Sequence, residues 1–119
     1  MENNITDFYE VPQIWDAALS FLDSELRRVL WNITQKEVQS PFANTGQKFK
    51  CEAFEVEAYS WDEEYNQPFN FKWRDVEISW YKYLGRGMSA NKELTADLAA
   101  EMLEESIDCL QKYETENEE

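Results

Sequence analysis

Between residues 12 and 36 the apolar side chains Trp15, Ala18, Leu19, Leu22, Leu26, Val29, Leu30 and Ile33 recur at three- and four-residue steps, the spacing of one helix face. Asp16, Asp23 and Arg27 fall opposite that face, and Pro12 suits a first helical position. A helix is predicted over about 12–36. The segment Ser40 to Gly46, carrying Pro41 and Asn44, interrupts the pattern.

From Phe49 the apolar period changes to two, which marks strands, and its phase slips twice. Phe49, Cys51 and Ala53 are odd while Phe54, Val56 and Ala58 are even; Phe69, Phe71 and Trp73 are odd while Val76, Ile78 and Trp80 are even. One long antiparallel hairpin whose paired numbers sum to 129 makes both slips coincide, with Ser60 to Phe69 as its loop. It sets Phe49 against Trp80, Cys51 against Ile78, Ala53 against Val76, Val56 against Trp73 and Ala58 against Phe71. It also sets Glu55 against Arg74 and Glu57 against Lys72, at the cost of Glu52 facing Glu77. The competing pattern is a three- or four-stranded meander with turns at the slips. Arg74-Asp75 lacks the Gly or Asn that a two-residue turn favours, so the bent hairpin is preferred.

Leu84-Gly85-Arg86-Gly87-Met88 ends the second run. Its Gly-x-Gly has neither the third glycine nor the lysine spacing of a phosphate loop and is read as a turn. A second helix is expected from an N-cap at Thr95 to about Tyr113, burying Leu98, Met102, Leu103, Ile107 and Leu110. Asp97, Glu101, Glu104, Glu105 and Asp108 share an arc of about 100° on its other side. Like charges four residues apart cost a helix about 0.2–0.5 kcal/mol each, and within the helix only Lys112 compensates. The expected fold is therefore α+β: a long N-terminal helix, a long bent antiparallel hairpin or small antiparallel sheet, and a C-terminal helix packed on one face. Residues 1–113 form a single domain and 114–119 a frayed acidic tail.

Composition narrows the function. At 119 residues and 43% hydrophobic content, the chain can bury a core without metal or disulfide staples. The 25 acids against 11 bases, a formal charge of −14, exclude a nucleic-acid backbone as direct partner and point to a protein with a basic surface. Residues 51–119 carry eighteen of the acids and six of the bases. Cys51 and Cys109, without CxxC spacing, read as buried thiols in a reducing cytoplasm, and no apolar run approaches the ~20 residues of a membrane span. There is no histidine, and neither cysteine lies beside an activating base. Asp62-Glu63-Glu64 lacks the alternation of a calcium loop. No catalysis, metal or cofactor is expected.

The run Ile78-Ser79-Trp80-Tyr81-Lys82-Tyr83-Leu84-Gly85-Arg86-Gly87-Met88-Ser89-Ala90-Asn91-Lys92-Glu93, followed by an acidic helix, resembles small uncharacterised acidic proteins carried by phages and prophages. The resemblance covers about a third of the chain and carries no functional residue with it. Short acidic proteins of that kind often inhibit host defence nucleases, some by mimicking DNA, and the resemblance implies such a role.

Two binding surfaces are candidates, and the alternative for the first is a helix face that is only solvated. The first is the stripe Asp97, Glu101, Glu104, Glu105 and Asp108, serving a non-catalytic inhibitor or DNA mimic that occupies a basic surface of a nucleic-acid-binding host protein. The second is the hairpin tip, with Trp61, Asp62, Glu63, Glu64, Tyr65, Phe69, Phe71 and Trp73 as the anchor of a small immunity or chaperone-like adaptor; its strand edges would also allow a homodimer.

Overall fold

A computed structural model describes residues 9–38, 41–43, 47–58, 69–81 and 87–117. Strand β1 (Tyr9–Glu10) precedes helix α1 (Gln13–Thr34); a short 3-10 turn at Pro41–Ala43 leads to β2 (Lys48–Lys50), β3 (Phe54–Ala58), β4 (Phe69–Trp73), β5 (Val76–Tyr81) and β6 (Gly87–Ala90), and α2 (Ala96–Asn117) closes the described chain. Among the described residues the strands form one antiparallel sheet in the order β1-β6-β5-β4-β3-β2. The fold class is α+β, with two long helices packed together on an antiparallel sheet.

Each helix ends where local chemistry allows. The Pro12 carbonyl accepts from the amides of Trp15 and Asp16, and Gln35 closes α1 in the left-handed region (φ 58°), its N–H donating to the Trp31 carbonyl at 2.7 Å. At α2 the Thr95 hydroxyl accepts from the Leu98 amide at 3.2 Å, the expected N-cap. The helix then runs four residues past Tyr113. Glu114, assigned to a frayed tail from sequence, is held by Asn32 Nδ2 at 2.7 Å and by Arg28 at 3.6 Å.

The strands correct the predicted register. Phe54 stands opposite Trp73, Val56 opposite Phe71 and Ala58 opposite Phe69; Trp73 then pairs with Val76 and Phe71 with Ile78, while Phe49 pairs with Val56. Both phase slips are turns, so the long hairpin is replaced by the meander. At the first, the Cys51 amide donates to the Phe54 carbonyl across Cys51–Ala53. At the second, Arg74 takes φ 53°, the left-handed conformation that the first central position of such a two-residue turn requires. Neither ion pair of the predicted register forms. Glu55 faces Lys72, Lys72 faces Glu77 and Lys50 faces Glu55, giving a row of alternating charge across four strands.

Period two sorts the sheet into an apolar and a polar face. Phe49, Phe54, Val56, Phe69, Phe71, Trp73, Val76, Ile78 and Ala90 are buried in one cluster with Trp15, Leu19, Leu22, Leu26 and Val29 of α1 and Ala99, Met102 and Leu110 of α2. Phe42 of the 3-10 turn closes one side, its ring centroid 5.4 Å from Phe69 and 6.1 Å from Phe71. Ser106 is buried within α2, its hydroxyl without a hydrogen-bond partner among the described residues.

Two outcomes test this core. Phe71→Ala should destabilise the chain by about 3–5 kcal/mol in urea titration, the cost of a large core cavity. Ser106→Ala should stabilise it by on the order of 1 kcal/mol, because an unsatisfied buried hydroxyl is removed and helix propensity rises.

Candidate functional site

The sheet turn at Arg74-Asp75 and the middle of α2 meet in one polar cluster. Arg74 lies over the Trp73 ring, its guanidinium carbon 4.3 Å from the ring centroid. Its Nη1 donates to Glu101 Oε1 at 2.9 Å and its Nη2 forms a short ion pair with Glu105 Oε2. Glu105 Oε1 also accepts from the Trp73 indole Nε1 at 2.9 Å. Glu101 and Glu105 stand four residues apart, one turn of helix, so a single fork of donors spans both.

Asp75 is fixed from the other side. Lys92 Nζ lies 3.1 Å from its carboxylate. The Asn91 side chain donates to the Asp75 carbonyl and accepts from the Glu77 amide, both at 2.9 Å. The turn between β4 and β5 is thus held by α2 through Arg74 and by the residues after β6 through Asp75.

These contacts set the charge states. The hydrogen bond from Arg74, then that from Trp73, holds the Glu105 carboxyl below its ordinary value of 4.5; Lys92 does the same for Asp75, and the two glutamates raise Arg74.

The predicted stripe therefore divides. Glu101 and Glu105 neutralise Arg74 and belong to the structural clamp. Asp97, Glu104 and Asp108 are exposed and have no cationic partner among the described residues. Lys112 reaches away from the stripe toward Glu52 in the β2–β3 turn, 3.9 Å away.

The predicted hairpin-tip anchor is corrected at its three described residues. Phe69, Phe71 and Trp73 are 5%, 0% and 1% exposed and form the centre of the core, because the helices lie over the face these rings share. Trp61, Asp62, Glu63, Glu64 and Tyr65 lie outside the described residues. Arg74 is the residue that the sequence pattern underrated. Its signal was an Arg between two strands, an unfavourable turn residue that only a tertiary contact could justify.

The cysteines meet between the β2–β3 turn and α2. Cys109 Sγ accepts from the Ala53 amide at 3.3 Å, and burial followed by the contact with Cys109 pushes the Cys51 thiol up to about 12. A thiol so placed stays protonated at neutral pH.

Fold and surface define a two-layer α+β protein with an acidic outer helix. No protein-family model, curated protein or solved structure matches the chain. Among the described residues no helix is long and apolar enough to cross a membrane.

Glu105 and Asp75 bind a proton less readily in the folded than in the unfolded chain. Their stabilisation is complete above their ordinary values of 4.5 and 3.8 and is lost as pH falls through the lowered folded values. Arg74→Gln should therefore lower stability at pH 7 and flatten its decline in acid, as read by urea titrations at a series of pH values. An acid limb as steep as in the parent chain would show that the clamp does not set it.

Proposed function

We propose that the chain is a non-catalytic protein-binding module that docks the outer row of α2 on a basic surface of a partner protein. The observation that carries it is the split of the stripe: Glu101 and Glu105 share Arg74 within the fold, while Asp97, Glu104 and Asp108 face outward without cations among the described residues. Glu104 and Asp108 repel one another at four-residue spacing, and a row of basic side chains would relieve that repulsion. The formal charge of −14 would steer encounter with a cationic groove and slow it with added salt.

The partner that fits is a nucleic-acid-binding protein, blocked at its basic groove; the phage-type resemblance would make it a protein of the host. The row is three carboxylates over about 16 Å of helix, which supports obstruction of such a groove by a short acidic patch. An adaptor anchored by the aromatic strands is the weaker reading, since burial removes Phe69, Phe71 and Trp73 from any surface.

The test is a triple neutralisation, Asp97→Asn, Glu104→Gln and Asp108→Asn, assayed by titration calorimetry against a panel of purified host nucleic-acid-binding proteins at about 50 and about 300 mM salt. The parent chain should bind at least one of them, more weakly at the higher salt. The variant should keep or raise its melting temperature and lose about tenfold or more in affinity. Equal binding by the parent and the neutralised chain would refute the row's role.

A further inference from the structure

α1 carries a second apolar face that the fold leaves uncovered. Ile14 and Phe21, 50% and 51% exposed, are seven residues apart, with exposed Ala17 between them. At 100° per residue the three share one flank of the helix, which also holds Arg28.

That flank borders α2. The two helices run parallel: Trp15 Nε1 near the start of α1 donates to the Thr95 carbonyl at the start of α2 at 2.8 Å, and Arg28 and Asn32 near the end of α1 both reach Glu114 near the end of α2. On α2, Ala100, Leu103 and Ile107 lead up to Glu114 at the same three- and four-residue steps. Leu103 and Ile107 are half-buried and Ala100 is exposed. The outer seam between the helices is therefore apolar for about two turns on each side. Asp97, Glu104 and Asp108 run along its solvent border.

We infer that this seam receives an amphipathic basic helix of the partner, with apolar side chains against Phe21 and Leu103 and lysines or arginines over Asp97, Glu104 and Asp108. The inference rests on the docking role proposed for the acidic row and specifies what that row's partner must also bring. Charge complementarity selects the occupant. A second copy of this chain, with its own charge of −14, would bring two acidic rows together. A purely cationic groove would bury nothing against Ile14 and Phe21. An amphipathic helix uses both features, in the manner of other helix-in-groove contacts.

The probe is a fluorescein-labelled peptide of about four helical turns, with leucine on one face and lysine on the other, compared by anisotropy with a peptide of equal charge in which serine replaces leucine. The leucine peptide should bind about tenfold tighter than the serine peptide, and Ile14→Ser with Phe21→Ser should abolish that difference. Circular dichroism and melting temperature establish that the double variant is folded, as expected for two exposed positions. The triple acidic neutralisation should weaken both peptides. If the two peptides bind alike, or the double variant still prefers leucine, the seam is not the groove, while weakening by neutralisation would leave the docking role of the acidic row standing. If neutralisation changes neither peptide's binding, the acidic row fails together with the seam.

Discussion

The contact among Arg74, Trp73, Glu101 and Glu105 is the constraint on which the remaining structure depends. A non-glycine residue with positive φ is costly, and a two-residue turn lacking Gly or Asn has no local reason to form. Here the guanidinium stacks on one ring and hydrogen-bonds two carboxylates of α2, so the strained residue is held by tertiary contacts. Once the turn is fixed, Trp73 must face Val76 and Phe71 must face Ile78, and the aromatic strand falls in the middle of the sheet. The same clamp ties the sheet to α2.

A two-layer protein of this size has one core, and the sheet spends a single face on it. The opposite face carries a cross-strand alternation of charge through Lys50, Glu55, Lys72 and Glu77. The edge strand β2 is three residues long with an exposed lysine at each end, a composition that discourages pairing with another sheet. On the helical layer, by contrast, acidic charge and uncovered apolar side chains adjoin.

The acids of this chain fall into two groups that composition alone does not separate. Glu101, Glu105, Asp75 and Glu114 are bound to cations of the chain itself and join elements distant in sequence. Asp97, Glu104 and Asp108 have no such role. Pairing of the first group leaves Asp97, Glu104 and Asp108 as a row on α2 without cationic partners among the described residues.

The amphipathic period fixed both helices, because Trp15, Leu22, Leu26 and Val29, and likewise Met102 and Leu110, repeat at a spacing that only one helix face satisfies. Period two likewise identified the apolar face of the strands, and the acidic stripe was visible as spacing along α2. The sequence could not decide whether a phase slip was a bulge or a turn, because that choice rests on Arg74 finding two carboxylates 27 and 31 residues away. For the same reason the pattern left Phe71 and Trp73 as candidate surface: a ring's burial depends on which layer covers it. Tertiary structure alone also divided the stripe into clamped and outward-facing acids, and ran two helices distant in sequence in parallel, so that the flank with Ile14 and Phe21 borders α2.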